Sequence, residues 1–411
     1  MRRDQGEQVL RLTDATYSCP VNEALTSTPG SPVARHESPR DGSAEGRKHA
    51  EVLPEAVSPA ARPRIAWADS ARALAIILVV VYHATGWIGD AGYDFSVADE
   101  YTSPLRSLRM PLFFTVAGLF AAKWVAASWR TLLRGKIIYF AWVFVLWEPI
   151  SLAVRQATGH HQIPDAEWWI FVVQVAVAPV YPWSELWFIW VLGVLFLLAR
   201  LIRPVPVWLQ LGVALGISAW ALSGVDLGGI AYRGAARYLL FFLIGLHLRP
   251  LVEAYAQRLR WWSGTLVVGG WYGLAWLVAG QGLTHAFGPY LLVNIAGLLA
   301  GIAICCGLAV VVPRLGRIGA RTLPVFVLHT PLIHTILWLL AMTGIVVPHP
   351  FSQWLPVVVA AVVIPLALVI DLVTRRSRLG WLWRPPDRLL KAVPSGPRNA
   401  DTAAQPSAVG S

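Results

Sequence analysis

Two side chains that could do chemistry lie within one long apolar segment of the chain. Arg72 and His83 belong to DSARALAIILVVVYHATGWIG and are eleven residues apart. In an α-helix this spacing is about three turns, so both side chains lie on one face, ~16 Å apart along the axis. Such groups are costly inside a membrane and usually face the protein interior or a water-filled cavity. Individually, Arg72 could instead anchor the helix at the interface, and His83 could be a packed, hydrogen-bonded residue.

A second pair of cations precedes the next apolar segment, in SPLRSLRMPLFFTVAGLF. Arg106 and Arg109 are one helical turn apart and lie at the predicted external end of this span. Cations at that end oppose the usual bias of Lys and Arg towards cytoplasmic loops. They could anchor the start of the helix at the interface, or they could form a paired cationic site for an anionic or polar substrate group.

Two further polar residues are weaker candidates for a substrate site. Glu185 is at the predicted external start of the fourth span, where a carboxylate also suits the helix dipole. His329 lies two residues before Pro331, so a kinked helix with a packed polar residue is an equal alternative. The three Cys residues offer neither a disulfide framework nor a metal site, so we expect no metal. The chain also lacks a Gly-x-Ser-x-Gly nucleophile motif.

The elements that must position these residues are membrane-spanning helices. Hydrophobic residues make up 56% of the 411-residue chain and charged residues only 14%, against about 25% charged in soluble domains. The apolar residues form long runs, and runs of about 18 or more indicate membrane spans. The net charge of +11 does not indicate nucleic acid here, because the basic residues lie in short loops. The sequence therefore predicts a multi-pass protein of the cell membrane, with the lipid bilayer as its partner.

The apolar segments predict an all-α polytopic domain between two polar tails. The domain covers residues 63–384, and the Pro- and Ser-containing tails, 1–62 and 385–411, are predicted to be disordered. The segment 168–182 is apolar but short and Pro-punctuated, so we interpret it as an interfacial or re-entrant helix. The ten predicted spans are 66–88, 107–127, 137–155, 185–202, 206–223, 236–250, 261–280, 290–312, 322–344 and 354–374.

The distribution of positive charge predicts the orientation of these spans. Lys and Arg cluster in alternate loops, whereas the loops 89–104, 281–289 and 345–353 contain neither. Because positively charged loops stay in the cytoplasm, these three loops are predicted to be external and both termini cytoplasmic. Besides the pair in the second span, the exceptions on the external side are Arg155, Arg233 and Arg237.

Four of these segments, in this order and spacing, resemble the acyltransferase 3 family of membrane acyltransferases. They are the spacing of Arg72 and His83 in WADSARALAIILVVVYHA, the Arg106-x-x-Arg109 motif, SELWFIWVL around Trp187 and Phe188, and LPVFVLHTPLI with His329. The resemblance covers residues 64–375. After LWF the chain lacks the acidic residue and Gln-Phe-Tyr run of many members, and it leaves no room for the fused extracellular hydrolase-like domain of others. Both departures point to the stand-alone branch of the family.

The resemblance implies transfer of an acyl group, often acetyl, from cytoplasmic acyl-CoA to a hydroxyl of a glycan, glycolipid or related envelope acceptor. Acyl-CoA is then a co-substrate, and no further cofactor is expected. The resemblance also makes Arg72 and His83 the essential pair of the first span, with Arg106 and Arg109 as the pair of the second.

The phosphates of acyl-CoA suit the cytoplasmic end of the bundle near Arg72. His83 could then act as general base on the acceptor or carry the acyl group itself. The alternative function is a transporter or exporter of a lipid or glycan, because intramembrane Arg and His also line substrate paths.

Overall fold

The computed structural model describes residues 66–93, 102–159, 168–344 and 347–390, and every regular element among them is helical. Twelve of these helices have ten residues or more. They are α1 (Ala66–Asp90), α2 (Arg106–Leu119), α3 (Trp129–Ala157), α4 (Trp168–Val177), α5 (Trp187–Leu201), α6 (Val207–Leu222), α7 (Ile230–His247), α8 (Arg249–Arg258), α9 (Trp261–Gly280), α10 (Pro289–Val311), α11 (Thr322–Thr343) and α12 (Leu355–Arg376). The part of the chain that the structure describes is therefore all-α, as the sequence predicts.

Five of these helices, α1, α3, α10, α11 and α12, are long and apolar enough to cross a membrane. A sixth crossing results if α7 and α8, which are bent by 81°, form one broken span. Each of the ten predicted spans overlaps one of the twelve helices, although α7 begins at Ile230, before the predicted span 236–250. Ten crossings and cytoplasmic termini stay predictions. The segment 168–182 contains the ten-residue apolar helix α4, and its interfacial or re-entrant position also stays a prediction.

Several boundaries of the sequence interpretation differ from the structure, and the predicted tails lie wholly or mostly outside the described residues. The predicted span 107–127 is wrong at its end, because α2 stops at Leu119 and a separate short helix, Ala122–Ala126, follows. Apolar residues continue through this turn, so hydropathy does not mark where the first helix ends. Of the predicted tails, 1–62 lies outside the described residues, and only the first six positions of 385–411 are described.

Large apolar side chains face outwards from several helices. Leu266 on α9 is 67% exposed and Val373 on α12 is 61% exposed. In water such surfaces would be an aggregation hazard, whereas lipid tails solvate them. The surface of the bundle therefore fits a multi-pass membrane protein.

The helix α2 lies at the centre of the bundle and packs against α1, α7 and α10. Its crossing with α7 is close, because a Cβ on Gly118 would meet the carbonyl oxygen of Phe242, and a Cβ on Gly245 would meet that of Thr115. Small residues at such crossings let two backbones approach each other within a membrane. The crossing therefore fixes α2, which carries the Arg106–x–x–Arg109 motif, against α7.

The helix α1 packs against α2, α10, α11 and α12. At its start, the short helix Leu315–Gly319 approaches so closely that a Cβ on Gly319 would meet the carbonyl oxygen of Asp69. At its other end, α1 faces α11, and rings from both helices come into contact. This packing brings the first predicted span next to the ninth.

Candidate active site

A cavity of about 270 Å³ lies between α1, α2, α5, α7 and α11. Apolar and aromatic side chains form much of its wall. Its polar lining residues are Tyr82, His83, Arg109, Glu185, Arg233, Arg237 and Tyr238. Ligand cavities commonly combine an apolar wall with a few converging polar groups. Three residues that the sequence singled out, His83, Arg109 and Glu185, therefore meet at one site although they come from different elements.

The imidazole of His83 lies between two rings at this site. It stacks on Trp87, one turn further along α1, with ring centres 5.1 Å apart and planes 22° apart. The ring of His329, on α11, is 5.2 Å away. The rings restrict the orientation of His83 while the cavity gives a substrate access to it. Such a placement suits a residue that moves a proton or accepts an acyl group.

His329 is fully buried and forms a fixed contact with its own helix. Its Nδ1 lies 2.5 Å from the carbonyl oxygen of Phe326. A carbonyl only accepts hydrogen bonds, so Nδ1 carries the hydrogen and donates it; this tautomer is assigned from the hydrogen-bond network. The other ring nitrogen, Nε2, is 3.5 Å from Thr330 Oγ1. His329 is thus buried beside the cavity, next to His83, and is not among the residues that line it.

Each carboxylate oxygen of Glu185 has a polar partner. Its Oε1 is 3.3 Å from Nη1 of Arg155, and its Oε2 accepts a hydrogen bond of 3.0 Å from Thr330 Oγ1. The side chains of Arg155 and Glu185 are only 11% and 13% exposed. Charged hydrogen bonds that are shielded from water are strong and fix geometry. Glu185 therefore links α3 to α11, directly beside His329.

A second buried carboxylate fixes the segment that carries Glu185. Glu148, on α3, accepts hydrogen bonds of 2.9 Å from the backbone nitrogens of Trp183 and Ser184. The hydroxyl of Ser184 also donates to it. Three donors on one carboxylate satisfy a charge that is otherwise costly to bury. Glu148 therefore fixes the backbone just before α5 and, with it, the position of Glu185.

The two Arg residues of the second span do not line the same cavity. Arg109 lines the cavity with His83, and its guanidinium carbon lies 3.5 Å from the ring centre of Tyr82. Arg106 lines a separate cavity of about 310 Å³, whose wall includes Trp276 and Tyr290. Its guanidinium carbon is 5.9 Å from the ring centre of Tyr82. The ring of Tyr82 therefore contacts both cations, which the sequence treated as one site.

Arg72 is placed on the same helix as His83 but is not among the residues that line the cavity. Its Nη1 is 3.0 Å from Asp69 Oδ1, and its guanidinium carbon is 4.2 Å from the ring centre of Phe120. The two residues are three positions apart, a spacing at which side chains on a helix can pair. Arg72 is thus held in one orientation about three turns from His83.

The structure adds site residues that sequence reasoning did not select. Arg155, Arg233 and Arg237 were noted only as exceptions to the charge pattern, and all three occur at or beside the cavity. Arg residues on the predicted external side, where Lys and Arg are otherwise rare, were therefore a signal in the sequence for the site. Trp87 and Thr330 carried no such signal, because an indole and a hydroxyl are common in membrane helices.

Comparison with known proteins identifies the family of the chain. The model of the family described as "Acyltransferase domain", acyltransferase 3, matches residues 65–370. No curated protein and no solved structure matches the chain. The matched region covers more than half of the chain and includes α1 to α11 and most of α12. The chain therefore belongs to the acyltransferase 3 family and is a membrane acyltransferase.

Proposed function

We propose that this acyltransferase moves an acetyl group from cytoplasmic acetyl-CoA to a hydroxyl group of a glycan, glycolipid or related envelope acceptor at the cell membrane. Membership of the family supports O-acyl transfer. The observation that carries the proposal is the position of His83, which lines the cavity and lies 5.2 Å from the buried His329. The family match favours acyl transfer over the transporter alternative, and acyl transfer needs a residue that moves a proton.

In the proposed reaction the acceptor hydroxyl oxygen attacks the thioester carbonyl carbon. His83 takes the hydroxyl proton as the new C–O bond forms. The C–S bond then breaks, and His83 returns the proton to the leaving thiolate of CoA. In the other route that the sequence left open, the His83 nitrogen attacks first and carries the acetyl group to the acceptor. Both routes require the imidazole to be exposed to the cavity.

Arg72 is proposed to bind the CoA end of the donor. It lies on the face of α1 that carries His83, ~16 Å away, which is comparable to an extended pantetheine arm. The ion pair with Asp69 orients the guanidinium but uses only part of its five-donor fork, and the other donors suit a phosphate. Arg72→Ala should therefore weaken donor binding, and Arg72→Lys should restore it only in part.

The test is transfer of label from radiolabelled acetyl-CoA by the purified full-length protein in lipid. His83→Ala should retain acetyl-CoA binding, read by protection against thermal unfolding, but lose transfer. His285→Ala is the matched control, because His285 is exposed and does not line the cavity. Transfer by His83→Ala at the parent rate would refute the proposed mechanism. Label on the protein in the absence of acceptor would identify the acetyl-histidine route.

A further inference from the structure

We propose that the acceptor carries an anionic group, a carboxylate or a phosphate, close to the hydroxyl that is acylated. The inference rests on the proposed function and adds the chemical class of the acceptor. The group would bind in the cavity that contains His83, between Arg109 on α2 and the pair Arg233 and Arg237 on α7. Two of these three cations were unexplained exceptions in the charge pattern of the sequence.

The first step of the argument is the balance of charge on the cavity wall. Three guanidinium groups line the cavity, and the carboxylate among its described lining residues is that of Glu185. Both oxygens of Glu185 are already bound, by Arg155 and Thr330. The wall therefore has a positive excess that Glu185 does not neutralise. In a site of low dielectric constant such an excess favours an anionic ligand.

The second step concerns Arg109. Its Nε is buried and makes no hydrogen bond with the residues that the structure describes. The guanidinium rests on the ring of Tyr82 instead, 3.5 Å from the ring centre. This contact orients the guanidinium but leaves the buried Nε–H without an acceptor, and a buried donor without a partner is costly. A bound carboxylate or phosphate would supply the missing acceptor atoms.

The third step concerns Arg233 and Arg237, which are four residues apart and therefore lie on one face of α7. Arg237 donates through Nε to the carbonyl oxygen of Ala221, 3.0 Å away, so its side chain is positioned by a neutral partner. Arg233 lies 3.8 Å from Asp226, but that carboxylate is 79% exposed. An exposed ion pair at this distance is largely screened by water. Both guanidinium groups keep donors for a ligand.

The fourth step places these cations together. Tyr238, the neighbour of Arg237, lines the same cavity as Arg109 and Arg233. The close crossing of α2 and α7 at Gly118 and Gly245 holds the two helices in this register. The cavity thus presents cations from two fixed helices, which is the arrangement that binds a multidentate anion.

CoA phosphates are a second source of the same chemistry, and the arrangement favours the acceptor over them. Arg233 and Arg237 lie in the first two turns of α7, at the end predicted to be external. Arg72, proposed to bind CoA, is about three turns from His83 along α1. A donor that enters from the cytoplasmic end reaches His83 with its thioester. The anion beyond His83 would then belong to the acceptor.

The experiment uses the full-length protein in lipid nanodiscs and pairs of acceptors that differ in one charged group. Methyl glucoside is compared with methyl glucuronide and with glucose 6-phosphate, each with labelled acetyl-CoA. The variants are Arg233→Gln and Arg237→Gln, with Arg237→Lys to keep the charge if the Gln variant is unstable. Arg249→Gln is the matched control, because Arg249 pairs with Glu253 on α8 and does not line the cavity.

The parent protein should prefer an anionic acceptor over methyl glucoside in kcat/KM by about ten- to hundredfold, the usual worth of charge-assisted hydrogen bonds. Arg233→Gln should remove most of this preference, because kcat/KM should fall more for the anionic acceptors than for methyl glucoside, whereas Arg249→Gln should leave the preference intact. Equal use of charged and neutral acceptors would overturn the proposal. A raised KM for acetyl-CoA in Arg233→Gln would also overturn it, because the anion would then belong to the donor.

A binding measurement separates this inference from the proposed function. His83→Ala protein is titrated with glucose 6-phosphate and with glucose, and binding is read as a rise in melting temperature. Glucose 6-phosphate should protect this protein whereas glucose should not, and the protection should be lost in the double variant His83→Ala, Arg233→Gln. This result would support the anion site even if no acetyl transfer occurred. Equal protection by both sugars would contradict the anion site even if transfer were confirmed.

Discussion

The centres of the imidazole rings of His83 and His329 lie 5.2 Å apart, although the two residues belong to helices that are distant in the sequence, α1 and α11. His83 lines the cavity, whereas His329 is fully buried and donates from Nδ1 to the carbonyl of Phe326. The contact gives the two residues different tasks. We expect His83 to reach a substrate and His329 to restrict the orientation of the His83 ring.

The first prediction separates these two tasks. His83→Ala should lower kcat by about 10²- to 10⁴-fold, the range for loss of a general acid–base residue. His329→Gln should lower kcat less, because the imidazole of His83 stays in place. It should also shift the pH profile of kcat, because it changes the environment of His83. Both are measured by steady-state acetyl transfer. Loss of activity in His329→Gln alone, with His83→Ala active, would reverse the assignment.

The second prediction concerns the ion pair of Arg155 and Glu185. Arg155→Met should destabilise the fold by about 3–5 kcal/mol, because it leaves a shielded carboxylate unpaired. Glu185→Gln keeps the shape and the bond to Thr330 and should cost less stability. A double-mutant cycle on the melting temperature and on kcat measures the coupling. Strictly additive losses would show that the pair does not act as a unit.

The third prediction follows from the separation of Arg106 and Arg109 by Tyr82. Arg109→Gln should abolish or sharply reduce transfer, because Arg109 lines the cavity with His83. Arg106→Gln should leave kcat with a small acceptor nearly unchanged, because Arg106 lines a different cavity. Expression level and melting temperature serve as controls for folding. Equal loss of kcat in both variants would restore the single paired site that the sequence predicted.

The fourth prediction tests the crossing of α2 and α7. Gly245→Ala should destabilise the fold by about 1–3 kcal/mol or more, because the new Cβ would meet the carbonyl oxygen of Thr115. Gly269→Ala on α9 is the matched control, since no atom lies within 4 Å of its Cβ position. Thermal unfolding in one detergent measures both variants. A melting temperature that is unchanged in Gly245→Ala would contradict the close crossing.

The fifth prediction is the orientation of the chain in the membrane. In a protein without its native cysteines, a Cys at Thr284 should react with an impermeant thiol reagent added outside intact cells, because its loop contains no Lys or Arg. A Cys at Ala400 should react only after the membrane is opened. External labelling at Ala400 would contradict the predicted cytoplasmic C-terminus.

The sequence determined the helical segments and their membrane character because both depend on local composition. Each predicted span overlaps a helix, and five of the helices are long and apolar enough to cross a bilayer. It also selected His83, Arg109 and Glu185, which converge on one cavity. The reason is energetic, since a polar group within an apolar run is costly and therefore marks a partner or a function.

Only the tertiary structure decided which of these residues meet. It separated Arg106 from Arg109, paired Arg155 with Glu185 and placed Arg233 and Arg237 on the cavity wall. These contacts depend on how helices that are distant in the chain cross one another. In a membrane the crossing is set by small residues and side-chain packing, not by hydropathy, because lipid tails are as apolar as the helices. The distribution of apolar residues along the chain predicts where helices occur. Close backbone contacts, such as that between Gly245 and the carbonyl oxygen of Thr115, determine which helix faces meet.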